Sequence, residues 1–99
     1  MTKKEFIKIM DQQLKFVRTE FKLNQDEMAT ILGLSKKTLV EIEKGRVTLG
    51  WKGAIVLSTI FSNSMLLSNA LGGESSDIIV ALAFEDKEVH YPQTMGGHV

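Results

Sequence analysis

The stretch LNQDEMATILGLSKKTLVEIEKGR, residues 23–46, decides how this chain is expected to fold. Asn24 is a good helix N-cap, and Glu27 stands three positions later, where it can complete a capping box. The spacing predicts a helix over residues 25–32. Gly33 can end that helix, because glycine adopts the left-handed backbone conformation without a Cβ penalty.

A second short helix follows almost at once. Ser35 is a good N-cap for a helix over residues 36–44, and Gly45 can end it in the same way as the glycine before it. Two helices of about nine residues that are joined by Gly-Leu-Ser form a helix-turn-helix pattern. The apolar side chain of Leu34 is expected to fill the gap between the two helices.

The second of these helices has two different faces. Leu39 and Ile42 lie about 60° apart on a helical wheel, so they form a face that can pack against a core. The opposite face has three cationic residues and one large apolar residue. It consists of Lys36, Lys37, Val40, Glu41 and Lys44. Such a face is suited to a polar, negatively charged partner.

Apolar periodicity predicts further helices on both sides of this stretch. Residues 3–21 carry apolar side chains at spacings of three and four, which is typical of an amphipathic helix. Thr2 and Glu5 can form its capping box. Residues 51–61 are mostly apolar and predict a helix at the floor of the core.

The last third of the chain is less regular. A short helix is expected after the cap Ser62-Asn63, ending at Gly72-Gly73. Residues 77–87, DIIVALAFEDK, fit a buried strand or a helix, and we favour a helix capped by Ser75 or Ser76, since no partner strand is visible. We therefore expect an all-α protein, a compact bundle of about five or six short helices with an irregular C-terminal tail. Residues 1–61 would form the helix-turn-helix core and residues 62–99 a helical extension within one compact domain.

Composition excludes several classes of function. The chain has 99 residues and no cysteine, so disulfides and thiolate metal sites are ruled out, and a cytoplasmic protein is expected. The most apolar region is too short and too polar for a membrane span. His90 and His98 lie on the tail without an acidic cluster, so we expect no metal site. Because no catalytic or cofactor motif is visible either, we expect a protein that is not an enzyme and has no cofactor.

The net charge of zero conceals an asymmetry. Residues 1–46 hold ten Lys/Arg and seven Asp/Glu, a net charge of +3, whereas residues 47–99 hold two and five, a net charge of −3. A locally basic half matters more for an anionic partner than the total charge does.

Residues 18–46 closely resemble the helix-turn-helix core of the lambda-repressor-like family, also called the Cro/repressor or XRE type, and residues 3–61 resemble it more loosely. The matching positions are Gln25, Ala29, Gly33, Leu34, Ser35, Ile42, Glu43 and Gly45. Two features depart from the family pattern. Lys22 stands near the position of a usual glycine, and the loop after Arg46 is not the usual polar one.

The resemblance implies roles for individual residues. In this family the second helix of the motif enters the major groove of DNA. Base edges would be contacted by Lys36, Lys37, Val40 and Glu41, and phosphates by Gln25, Ser35, Lys44 and Arg46. Arg18 and Glu43 match a family pair that orients the reading helix, which is the helix that enters the major groove. A simpler interpretation of Glu41 is an ion pair with Lys37 or Lys44 on the helix surface.

These features lead to a function hypothesis with two competitors. We expect a prokaryotic-type transcriptional regulator, a repressor, that binds double-stranded DNA sequence-specifically as a homodimer. The dimer element would be the residues after Phe61, because the apolar side chains between Ile55 and Leu82 exceed what three short N-terminal helices can cover. The first competitor is an antitoxin that also masks a toxin with its C-terminal half. The second is a protein-interaction adaptor that keeps the fold without DNA binding.

Overall fold

A computed structural model of the protein describes residues 1–85, and within them all regular structure is helical. The six helices are α1 (Lys3–Glu20), α2 (Gln25–Leu32), α3 (Lys36–Glu43), α4 (Gly50–Ile60), α5 (Met65–Leu71) and α6 (Ser75–Ala83). The predicted all-α bundle is therefore confirmed. The predicted tail and the two histidines lie outside the described residues.

The predicted caps of the first two helices are confirmed. The Thr2 hydroxyl accepts from the Glu5 backbone N–H at 3.1 Å, while the Glu5 carboxylate accepts from the Thr2 N–H at 2.8 Å. Asn24 and Glu27 form the same reciprocal pair, with both bonds at 2.8 Å. Each capping box satisfies two backbone donors that a helix start would otherwise leave unpaired.

The first three helices end in the same way. In each, a residue with positive φ lets the next N–H bond a carbonyl five positions back, which is the Schellman motif. Gly33 (φ 74°) and Gly45 (φ 80°) were expected in this role, but Lys22 (φ 56°) ends α1 identically, with the Leu23 N–H on the Arg18 carbonyl at 3.0 Å. The turn before α2 thus keeps the glycine-like conformation although a lysine occupies it.

Two predicted caps in the later helices are wrong. The N-cap of α5 is Ser64, not Ser62 or Asn63, and its buried hydroxyl accepts from the Leu67 N–H at 3.1 Å. Residue Ser75 is the first residue of α6 rather than its cap, and its hydroxyl donates to the Ser58 carbonyl at 3.2 Å. The helical interpretation of this segment, favoured over a strand, is confirmed.

The core sits around α1, which packs against α3, α4 and α5. Every helix contributes to it. The buried apolar side chains are Phe6, Met10, Leu14, Val17, Met28, Ala29, Leu39, Ile42, Ala54, Leu57, Phe61, Leu67, Leu71 and Leu82. Trp51 packs edge-on against Phe6, with ring centroids 5.8 Å apart.

The apolar surplus expected between Ile55 and Leu82 is largely covered by the chain itself. Phe61, Leu67 and Leu82 are buried in the common core, and Ile78 and Ile79 pack against it. These side chains are covered because α5 lies along α1 and α6 lies against α4, whereas Ile60 and Leu66 remain exposed. Within residues 1–85, no helix combines the length and the apolar character needed to cross a membrane.

Candidate nucleic-acid interface

Helix α3 presents the two faces that its sequence predicts. Leu39 and Ile42 are buried against the core, and Ala29 is buried on α2, the neighbouring helix of the motif. A small side chain at that position allows α2 and α3 to approach closely. On the outer side of α3, Lys37 and Lys44 are exposed. The helix is therefore held by one face while a cationic face remains accessible.

The predicted orientation pair forms. Arg18 Nε and Nη2 donate to the two carboxylate oxygens of Glu43 at 2.7 and 3.1 Å, which is a bidentate pair. Arg18 Nη1 also donates to the Leu23 carbonyl at 3.0 Å. The two charged side chains are only 15% and 5% exposed. This pair ties α1 to the end of α3, and it also fastens the turn that leads into α2.

The structure brings Gln25 into the same network. Its side-chain amide donates to Glu43 Oε1 at 3.1 Å, so one carboxylate accepts from two different helices. An amide nitrogen has two hydrogens, and the second remains available for a phosphate at the start of α2. The side chain predicted to contact phosphate is therefore positioned by the orientation pair.

The side chains at the start of α3 are also engaged. The Ser35 hydroxyl accepts from the Thr38 N–H at 3.1 Å and donates to the Thr38 hydroxyl at 3.0 Å, which confirms its role as a cap. Lys36 Nζ lies 3.6 Å from a carboxylate oxygen of Asp26, and both side chains are more than half exposed. An exposed pair of this kind contributes at most about 1 kcal/mol, so a phosphate or base can displace it.

Glu41 pairs with neither lysine that was considered for it. Its carboxylate lies 3.5 Å from Arg46 Nη1, because the Gly45 turn folds the chain back until the Arg46 N–H bonds the Glu41 carbonyl at 2.9 Å. The side chains of Val40 and Glu41 are half-buried, whereas Arg46 is exposed. Glu41, predicted to contact base edges, and Arg46, predicted to contact phosphates, thus contact each other.

The structure shows a positioning residue that sequence reasoning missed. The Asp11 carboxylate on α1 accepts from the Thr48 hydroxyl at 2.6 Å and from the Leu49 N–H at 2.8 Å. These bonds hold the chain between α3 and α4, which carries Arg46. No local signal could have identified the contact, since the partners are 37 and 38 positions apart in the sequence.

The cationic side chains predicted to meet DNA therefore lie on one continuous part of the chain. Lys36, Lys37, Lys44 and Arg46 are all exposed, and they extend from the first turn of α3 to the turn beyond its last residue. Among residues 1–85, no group of three or more His, Asp or Glu side chains is arranged to hold a metal ion. Comparison of the chain with protein-family models, with curated proteins and with solved structures gave no match.

Proposed function

We propose that this protein is a sequence-specific, double-stranded-DNA-binding transcriptional regulator that inserts α3 into the major groove. The observation that carries the proposal is the way α3 is held against the rest of the protein. Its apolar face is buried, its last residue is clamped by Arg18, and its outer face is cationic and accessible. A rigidly held helix with free donors on its outer face is what direct readout of bases requires.

The contacts divide into two groups. Lys36 and Lys37, in the first turn of α3, donate to guanine O6 and N7, and Val40 touches a thymine methyl group. Glu41 accepts from cytosine N4 once its exposed partner, Arg46, has turned to a phosphate. The base contacts specify the sequence, while the phosphate contacts fix the position of the helix in the groove.

The phosphate contacts flank the groove at both ends of α3. Gln25 stands at the start of α2, where the first backbone N–H groups and the helix dipole favour an anion. Ser35 reaches a phosphate by turning its hydroxyl away from Thr38. At the other end, Lys44 and Arg46 bind phosphates on the turn that follows the helix. Binding is therefore expected to weaken steeply with salt through release of counterions.

The regulator acts as a homodimer in this proposal. Four apolar side chains are exposed on the second half of α4 and the start of α5, namely Val56, Ile60, Met65 and Leu66, and Met65 keeps 70% of its surface accessible. A second copy that covers these side chains would remove them from water. Two reading helices then face half-sites about 34–36 Å apart, one turn of DNA. The proposal also implies a cytoplasmic protein of prokaryotic type, with repression by occupancy of an operator.

Selection from random duplexes, followed by titration across a salt series, tests the proposal. We expect enrichment of a palindrome and a linear fall of log affinity with log salt. Lys37→Ala should weaken binding to the selected site by about 1–3 kcal/mol and relax base choice at one position. Lys4→Ala, an exposed lysine on α1, is the matched control and should change neither. Absence of any enrichment at low salt would favour the adaptor function instead.

Light scattering tests the dimer separately. Ile60→Glu should convert the dimer to a monomer, because it places a charge in the proposed apolar interface. The wild-type chain must be dimeric at micromolar concentration for this part of the proposal to stand. A wild-type monomer that still selects a palindrome would require dimerisation on DNA alone.

A further inference from the structure

A groove runs along the outer side of α1 beside the turn that follows α3. Residues 8–16 of α1 form one wall, and residues 42–48 form the other. We call it the α1–turn groove and define it by six side chains. They are Lys8, Lys15, Phe16, Lys44, Arg46 and Val47.

The groove contains apolar surface that the fold does not use. Phe16 is 57% exposed and Val47 is 47% exposed, and neither belongs to the core. An isolated exposed apolar residue is common on protein surfaces. Here an aromatic ring and a branched aliphatic side chain line the same groove from two different segments, so together they offer a site for an apolar side chain of a partner.

The rim of the groove is positively charged. Lys8, Lys15 and Lys44 have no ion-pair partner among the described residues. The lining has two carboxylates, Asp11 and Glu43, against four cationic side chains. Glu43 is held by Arg18, and both oxygens of Asp11 accept hydrogen bonds from the opposite wall. Three ammonium groups are thus available to an acidic ligand.

The walls are held in place before anything binds. Asp11 joins α1 to Thr48 and Leu49, and the Schellman motif at Gly45 fixes the path of the turn. A preformed groove loses less conformational entropy on binding than one that must first be ordered.

We propose that the α1–turn groove docks a short acidic segment of a partner protein that inserts one apolar side chain between Phe16 and Val47. The apolar surface favours a peptide over duplex DNA, since the outside of a duplex has no protruding apolar side chain to place between Phe16 and Val47. Lys44 and Arg46 belong both to the groove and to the proposed phosphate contacts. The docked segment therefore competes with DNA, a consequence that rests on the proposed function.

Selection from a displayed library of random peptides against the full chain tests the docking without DNA. We expect the enriched peptides to be acidic and to share one aromatic or aliphatic position. Phe16→Ser should weaken their binding about ten- to a hundredfold, the value of burying one large apolar side chain. Lys15→Glu should weaken it as well and reduce its salt dependence. Lys52→Glu, an exposed lysine on α4 outside the groove, is the matched control.

Both Phe16 and Lys15 are exposed, so these variants are expected to fold, and circular dichroism checks this. Enriched peptides that bind all three variants equally would overturn the docking. So would the absence of any enriched peptide, and equal loss of DNA binding in both groove variants would then make the groove a nucleic-acid surface.

The competition has its own measurement. An enriched peptide at a hundred times its dissociation constant should lower the apparent DNA affinity about a hundredfold if the two sites exclude each other. Unchanged DNA affinity at saturating peptide would overturn the competition while the docking stands. If the protein binds no DNA at all, the proposed function fails but the peptide selection still decides the docking.

Discussion

Replacing Glu43 with alanine removes the carboxylate on which three parts of the structure converge. That carboxylate accepts two bonds from Arg18 and one from Gln25, and its side chain is 5% exposed. After the substitution, the Arg18 guanidinium retains only its bond to the Leu23 carbonyl, and in the intact protein the Arg18 side chain is only 15% exposed. The variant therefore leaves a cation mostly buried and without a counter-charge.

The expected cost follows from this burial. Removing one partner of a fully buried ion pair costs about 3–5 kcal/mol, because the remaining charge is uncompensated. Arg18 keeps some water contact and one carbonyl, so we expect a value near the lower limit, about 3 kcal/mol. For a domain of this size, that free energy corresponds to a fall in melting temperature of about 12–24 °C.

A double-mutant cycle measures the interaction energy between Arg18 and Glu43 separately from the other contacts of each side chain. The single variants of the cycle are Arg18→Met and Glu43→Leu. The double variant removes both charges and keeps similar volume, so it should cost much less than these two single variants together. Urea denaturation followed by far-UV circular dichroism measures each step, provided that the slope of the transition stays constant.

Glu41→Ala is the matched control for this series. It lies on the same helix and pairs with the exposed Arg46 at 3.5 Å. Its loss should cost about 0.5 kcal/mol or less. If Glu43→Ala costs no more than Glu41→Ala, or if the double variant costs the full sum of the single ones, the Arg18–Glu43 pair does not stabilise the fold.

Three further predictions concern local features of the chain. Lys22→Gly should stabilise the fold by about 0.5–1 kcal/mol, because the left-handed backbone conformation of Lys22 costs a residue with a side chain about 1–2 kcal/mol. An unchanged or lower midpoint of urea denaturation would contradict this. Ser64→Ala should destabilise the fold by about 1–2 kcal/mol, since the Leu67 N–H loses its cap. The melting temperature of this variant is compared with that of Ser64→Thr, which keeps the hydroxyl. Asp11→Ala should free the Thr48 hydroxyl, cost about 1–2 kcal/mol and weaken DNA binding, and retention of both stability and affinity would refute its positioning role.

Much of the fold could be predicted because its signals are local. A cap residue acts on the N–H groups two or three positions later, so Thr2, Asn24 and Ser35 could be identified from spacing alone. The faces of α3 follow from the helical repeat in the same way, and Leu39 and Ile42 are buried as expected. Spacing alone misplaces the cap of α5 because Ser62, Asn63 and Ser64 are consecutive and each satisfies the local rule.

The contacts that could not be predicted join distant parts of the chain. The N-cap of α5 is selected by Glu20, whose carboxylate accepts from the Ser64 hydroxyl at 2.5 Å and from the Met65 N–H at 3.0 Å. Its partners are 44 and 45 positions away, so no local pattern reports the choice. The burial of Leu67 and Leu82 likewise depends on how α5 and α6 pack on the earlier helices.

The sequence by itself determined the helices of the motif, their caps and the two faces of α3, because hydrogen bonds and side-chain periodicity within one helix are properties of a few consecutive residues. Only the tertiary structure decided which charged groups on that surface are engaged. It draws Gln25 into the Arg18–Glu43 pair and fastens the turn beyond α3 to Asp11. Those pairings depend on the distance between helices, which is set by the packing of the whole core.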